Sequence, residues 1–336
     1  MFSKPTVFII GAGASAELGL PPGSDLKQTI SEAVRFRFDL NEQVSGDRDL
    51  YQSMCGSLGQ DVGRYTKLGD YLADMVPLYP SIDEALNFFS TAPDVVRLGK
   101  FAIAHFILRG EHSSMLCYKP GQKCTIDAAA NTWLAPFLSM AISPLTREQI
   151  DGAFKNVTII NFNYDRTIER YLELALKGTA KMGEKEAISI IQNIRIIRPY
   201  GSLGPLRSGK DDVIFGGHEH GGNNDLVKIS ANILTFTEPH SGGDTHAQIK
   251  DAISGAKVIV ILGFGFHQQN MELLSVPVKD DRHVFATVSG IDINNHEMLR
   301  DLLRDRLGTS RRAHLINASA HDMLERLRLS IMQVAS

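Results

Sequence analysis

Thr6-Val7-Phe8-Ile9-Ile10-Gly11-Ala12-Gly13-Ala14-Ser15-Ala16 is the stretch on which the fold turns. A β-branched, almost wholly apolar run meets Gly-Ala-Gly without any polar alternation. That pattern marks a strand buried on both faces as it enters a tight turn, the habit of a parallel sheet. The spacing Gly11-x-Gly13-x-x-Ala16 lets backbone approach a pyrophosphate and offers it the N–H groups that open a helix. A tight strand–helix turn needs small residues even without a ligand. The placement directly after a strand is what gives the nucleotide reading its weight.

Similar runs recur outward from this one: Val157–Ile160 followed by Asn161, Ile194–Ile197, Val258–Leu262, Val284–Ile293 interrupted by Ser289-Gly290, and His314–Ile316. Helical stretches separate several of them. The expected class is α/β, a Rossmann-like doubly wound parallel sheet with a helical insertion. Residues 31–153 read differently, because Leu68–Val76, Ile82–Phe89 and Val95–Leu108 carry apolar residues at helical spacing. The organisation expected is a core of residues 1–30 and 154–334 around a mainly helical insertion at 31–153. Residues 201–224 are glycine-rich and polar and read as a long surface loop, a kind that often carries function.

Composition narrows the function classes. Among 336 residues, 43% are hydrophobic and 22% charged, so a folded globular chain is expected. A formal net charge of −3 gives no global attraction to nucleic acid or an anionic membrane, and direct binding to either is not expected. The mild basic group Arg300, Arg304, Arg306, Arg311 and Arg312 is interleaved with Asp301 and Asp305, as on a solvated helix face. Cys55, Cys117 and Cys124 make neither a disulfide framework nor a zinc set, so no metal is expected. Val7–Ile10 is too short for a signal core and Val258–Phe266 too short for a membrane span, so a cytoplasmic protein is expected.

An ordinary dinucleotide dehydrogenase would place an acidic strand end about 20 residues after the glycine turn. This chain has Gly19-Leu20-Pro21-Pro22-Gly23-Ser24-Asp25-Leu26 there instead. With Gly11-Ala12-Gly13-Ala14-Ser15, that segment resembles the opening motif of the sirtuin superfamily. Ile160-Asn161-Phe162-Asn163-Tyr164-Asp165 resembles the second motif, a strand ending in Asn-x-Asp. Arg198-Pro199-Tyr200-Gly201-Ser202-Leu203-Gly204 stands where the family has His-Gly-Ser. Leu262-Gly263-Phe264-Gly265-Phe266 resembles the later glycine turn, followed by Ile291-Asp292-Ile293-Asn294 as the adenosine-side strand. Ser81-Ile82-Asp83-Glu84 is similar to a signature of the bacterial branch. These blocks occur in family order within residues 6–26, 81–86, 157–170, 196–206 and 258–294.

The resemblance implies NAD held with its nicotinamide end between core and insertion. The missing CxxC pairs set the chain apart from protein-deacylating sirtuins and favour the bacterial defence branch, whose members hydrolyse NAD to nicotinamide and ADP-ribose. NAD is then the substrate. The branch also implies a homo-oligomer switched on by a partner, such as a HerA-type ATPase or an Argonaute. A non-catalytic module that holds NAD or ADP-ribose is the alternative.

Cleaving the nicotinamide–ribose bond creates an oxocarbenium-like ribose while a cationic group leaves, so it needs grip, a charge-compatible pocket and an oriented water. Within the resemblance, Asn163 is the group to hold ribose and water, although a strand-end Asn can equally bond its own backbone. Asp165 either meets the carboxamide or caps the helix Arg166–Lys177, and the roles can coexist. Tyr200 stands at the histidine position, where a phenol of pKa near 10 is a poor base. It orients ribose or water, or another base serves, His218 and His220 on the loop included, or activity is lost. Gly11, Ala12, Gly13 and Ser15 are expected at the phosphates, with Ser15 also a helix-cap candidate. Gly201 and Ser202 join them as ligand contacts, as do Gly263 and Gly265, which a tight turn explains as well. Asp292 and Asn294 are expected at the adenosine ribose.

Overall fold

A computed structural model describes residues 1–40, 42–118, 126–143, 145–178, 181–206, 213–217, 225–236, 238, 244–277 and 280–336. Its strands in chain order are β1 (Thr6–Ile10), a hairpin of β2 (Arg37–Asp39) and β3 (Glu42–Ser45), then β4 (Val157–Asn161), β5 (Arg195–Ile197), β6 (Val258–Leu262), β7 (His283–Thr287) and β8 (His314–Ile316). Six of them form one sheet in the order β5-β4-β1-β6-β7-β8, and every pairing is parallel. The chain builds outward from β1 to β5, then returns to the other side of β1 and builds outward again. This is the doubly wound, Rossmann-like order, with its switch point between β1 and β6.

Alternation along β1 shows why both faces are covered. Val7 and Ile9 enter one core with Ile160, Ile197, Ile259 and Ile261. Phe8 and Ile10 enter the other with Val157, Ile159, Val258, Val260 and Leu262. Residues from Ala33 to Leu108 join the first core, and those from Leu116 to Phe154 join the second. The long stretch between β1 and β4 therefore covers both sides of the sheet. On the second side Phe137 sets its ring 4.9 Å from that of Phe8, edge to face.

Local sequence explains the main helices. Asp47 caps Arg48–Leu58 by accepting from the Leu50 N–H, and Ser81 caps Ile82–Phe88 by accepting from Glu84. Pro93 starts the 21-residue helix Pro93–Ser113, where its missing N–H is harmless. Helix Gly23–Ala33 runs across residue 30, where the sequence places the edge of the core.

Three expectations change. The run Val284–Ile293 is a strand only to Thr287, because Gly290 turns the chain at φ +81° and Ile293–Asn295 is a 3₁₀ turn. The segment 31–153 contains the β2–β3 hairpin, whose alternation is too exposed and short to stand out. The described parts of 201–224 are not all surface: Leu203 and Phe215 are buried. Leu203 donates its N–H to Tyr164 O and Gly216 donates to Glu111 Oε2, so these stretches are threaded into the core. His218 and His220, like Cys124, lie outside the described residues.

Candidate functional site

The site grows from two glycine turns stacked backbone on backbone. Gly11 N–H donates to Leu262 O and Gly13 N–H to Gly263 O, both at 2.9 Å. A methyl at Gly11 would stand 2.5 Å from Gly263 O, and one at Gly263, itself at φ +57°, would stand 2.0 Å from Ala14 N. The close approach that demands these glycines is between the turns themselves. Gly265 faces the His267 ring instead.

Beside this stack, past the carboxyl ends of β1 and β4, three side chains make one network. Ser15 Oγ donates to Asp165 Oδ2 at 2.7 Å and accepts from Asn163 Nδ2 at 2.7 Å. Asn163 Nδ2 also donates to Gly11 O at 2.9 Å. Asp165 Oδ1 accepts from the Thr167 N–H at 3.1 Å and its hydroxyl at 2.5 Å, at the first residue of helix Thr167–Gly178. All three residues are buried. The network occupies Asn163 Nδ2 and both Asp165 oxygens, and no hydrogen bond to Asn163 Oδ1 occurs among the described residues.

These side chains line a cleft of about 80 Å³ together with Ala12, Leu20, Pro21, Phe162 and, from the opposite segment, Ser81, Ile82 and Asp83. Ligand sites generally span about 300–1,000 Å³, so this enclosure suits one ring-sized end of a ligand. A larger hollow of about 420 Å³ lies across helix Thr167–Gly178, between Glu169, Ile191, Ile196, Leu206 and Phe215. It contains none of the Ser15–Asn163–Asp165 network.

Asp83, within the Ser81–Glu84 segment, is the second carboxylate of the cleft. Its Oδ1 accepts the Tyr164 hydroxyl. Burial pushes its carboxyl up to about 6, against the lowering pull of that bond. Burial and the neighbouring Asp83 charge push the Tyr164 phenol well above 10.

Tyr200 sits behind this pair, its ring 6.5 Å from that of Tyr164. It is 2% exposed, donates its hydroxyl to Asn270 Oδ1 at 2.6 Å and accepts from Gln269 Nε2 at 3.1 Å. Burial, then the Asp83 charge, push its ionisation far above 10, so it stays a neutral phenol. Tyr200 is not among the residues lining the cleft.

Other expected contacts fall elsewhere. Gly201, at φ +70°, bridges antiparallel to Ile233, and Ser202 donates its N–H to Asn232 O. Asp292 and Asn294 are exposed on the 3₁₀ turn after β7, with the Asp292 carboxylate accepting from Asn294 N–H. That turn replaces the expected adenosine-side strand.

Two supports escape sequence reading. Arg198, just after β5, donates from Nη1 to the carbonyls of Asn163 and Asp165, both at 3.0 Å, and from Nη2 to Glu169 at 2.7 and 2.9 Å. It fixes the backbone that aims both side chains. Arg166, 1% exposed, pairs with Glu111, 0% exposed, at 2.6 Å, and Glu111 Oε1 also accepts the Arg166 N–H. For Arg166 the signal is an arginine beside the Asn-x-Asp strand end, which does not name the partner, and Arg198 lies inside a motif that gives it no role. Among the described residues no group of three His, Cys, Asp or Glu side chains could hold a metal, and no helix is long and apolar enough to cross a membrane.

Comparison with known protein families finds no match, and neither does comparison with characterised proteins.

Proposed function

We propose that the chain hydrolyses NAD at the nicotinamide–ribose bond, giving nicotinamide and ADP-ribose, with the nicotinamide end in the Ser15–Asn163–Asp165 cleft. The observation that carries this reading is the network itself: an amide locked by Gly11 and Ser15 keeps its oxygen for the cleft, at the carboxyl ends of parallel strands. Asn163 Oδ1 can accept from a water or a ribose hydroxyl there. Asp165, fixed by its donors, places its carboxyl beside the bond that is cleaved. Of the glycine turn, Ala12 borders the same cleft, and the adjoining turn backbone suits the phosphates.

One observation favours the alternative, a module that holds NAD or ADP-ribose without cleaving it. Tyr200 stands at the family's histidine position and turns its hydroxyl toward Asn270 and Gln269. Incubation with NAD and an acetylated peptide separates the cases. Hydrolysis predicts nicotinamide and free ADP-ribose in equal amounts with the peptide unchanged. Bound, intact NAD indicates the module, and peptide deacetylation contradicts both. Asn163→Ala should lower nicotinamide release by about 100-fold or more, the scale of losing a positioned transition-state contact. A folded Asn163→Ala protein with wild-type release would remove Asn163 from the mechanism.

We further propose that the chain works as a homo-oligomeric effector of antiviral defence, held at low activity until a HerA-type ATPase or an Argonaute docks. The sirtuin-like motifs support this reading, because unregulated loss of NAD would poison the host. Sedimentation of the chain alone and with such a partner, each followed by an NAD assay, tests it. A monomer whose activity ignores dilution and partner would contradict it.

A further inference from the structure

The helix Ile82–Phe88 brings a carboxylate to the cleft from outside the Rossmann-like core. We propose that Asp83 is the proton acceptor of the hydrolysis, taking a proton from the water that attacks the ribose; this rests on the cleft being an NAD-cleaving site. Asp83 and Asn163 line the same small enclosure. Both oxygens of Asp165 already accept from Ser15 and Thr167, which leaves neither oriented toward a water. Tyr200 is a neutral phenol directed elsewhere. Asp83 engages Oδ1 with the Tyr164 hydroxyl, and its carboxylate also draws on its own backbone N–H.

The step balances without another reactant. The water oxygen bonds to the ribose C1′ as the C1′–nitrogen bond breaks, and nicotinamide leaves with the bonding electron pair. Asp83 receives the water's proton and returns it to solvent. Because the leaving group is already cationic, the reaction needs no acid, and one carboxylate completes the proton account.

The surroundings suit a base at neutral pH. Burial lifts the Asp83 carboxyl to about 6, so it is ionised at pH 7 yet far more basic than an exposed aspartate. The titratable groups that act on it are Tyr164 from the core and Glu84 on its own helix; Tyr200 lies behind Tyr164, and Asp165 shares the cleft. On the helices packed against it, Lys27 turns to the Tyr79 carbonyl and Lys100 to Glu238. No cation pairs with Asp83 among the described residues. Its companion Tyr164 donates to the charged form and therefore limits the rise.

The test is single-turnover nicotinamide release against pH on the full chain in excess over NAD, so that a low basal rate is measurable. Calorimetry of NAD binding runs alongside, on wild type, Asp83→Asn, Asp83→Glu and Tyr164→Phe. Wild type should lose rate through an acid limb near pH 6. Asp83→Asn should release nicotinamide about 100-fold more slowly or worse, the usual share of a general base, without that limb and with NAD binding kept. Asp83→Glu should restore part of the rate. Tyr164→Phe should move the acid limb upward, a shift that a merely structural Asp83 would not produce. Wild-type turnover with an unchanged acid limb in Asp83→Asn overturns this proposal and leaves the hydrolase reading standing. If Asp83→Asn does not fold, an unmoved limb in Tyr164→Phe overturns it. Absence of nicotinamide from wild type, with or without NAD binding, defeats the hydrolase reading and the Asp83 assignment with it.

Discussion

Ser15 is the hub on which the site's residues depend. One hydroxyl satisfies Asp165 Oδ2 and takes a hydrogen from Asn163. Ser15→Ala leaves a buried carboxylate oxygen without its donor, which costs about 1–3 kcal/mol. The urea midpoint should fall accordingly and nicotinamide release should fall with it, because Asn163 loses one of two anchors. An unchanged midpoint would mean that water replaces the hydroxyl and that the network is not rigid. Tyr200→Phe should behave differently. It removes bonds to Asn270 and Gln269, costs about 1 kcal/mol, and should leave the pH dependence of turnover as in wild type. An acid limb displaced by Tyr200→Phe would place the phenol in the reaction after all. Sequence reading singles out Asn163, Asp165 and Ser15, and the fold joins the three in one network because the motif sits at a strand end beside the glycine turn. It could not see that Gly201 and Ser202 pair with Asn232 and Ile233, since that contact is set by a chain segment some 30 residues away.

At the scale of elements, the buried Glu111–Arg166 pair joins three of them. It connects helix Pro93–Ser113 to the residue before helix Thr167–Gly178. It also holds the stretch at 213–217 through the Val213 and Ile214 carbonyls and the Gly216 N–H. Removing one partner strands the other charge in the core. Arg166→Met or Glu111→Leu alone should therefore each destabilise by about 3–5 kcal/mol, while the two together cost much less. A double-mutant cycle on thermal unfolding measures this, and additive losses would contradict a mutually dependent pair. The strands themselves were readable, with β1, β6 and β8 bounded as their apolar runs suggest. The apolar run at β7 reads longer than the strand, because Ile291 and Ile293 continue a β-branched pattern across Ser289-Gly290. The turn there is decided by a glycine at positive φ rather than by hydrophobicity.

Across the whole molecule, the same burial that tunes Asp83 opposes folding. Its carboxyl binds a proton more tightly folded, at about 6, than in an ordinary aspartate at 3.8. Folding then takes up a proton between those values, so stability declines as pH rises through that window and is level above it. Asp83→Asn keeps an oxygen for the Tyr164 hydroxyl and removes the buried charge. It should raise Tm by a few degrees at pH 7.5 and by little at pH 4.5, as read by calorimetry. A lower Tm at pH 7.5 would show that the ionised carboxylate is well accommodated, with no stability held back for function. The architecture at this scale followed from one glycine turn and the spacing of later apolar runs. The covering of both sheet faces by the stretch between β1 and β4 did not, because helical periodicity shows that a face is buried and not against which layer.

The central claim is that the Ser15–Asn163–Asp165 cleft cleaves NAD. The most direct measurement is single-turnover nicotinamide release by this chain at pH 7.5, beside an Asn163→Ala protein of matched fold. The account predicts nicotinamide and ADP-ribose in equal amounts from wild type, and release slowed by about 100-fold or more in the variant. Equal rates from both proteins, or NAD recovered intact from wild type, would contradict it.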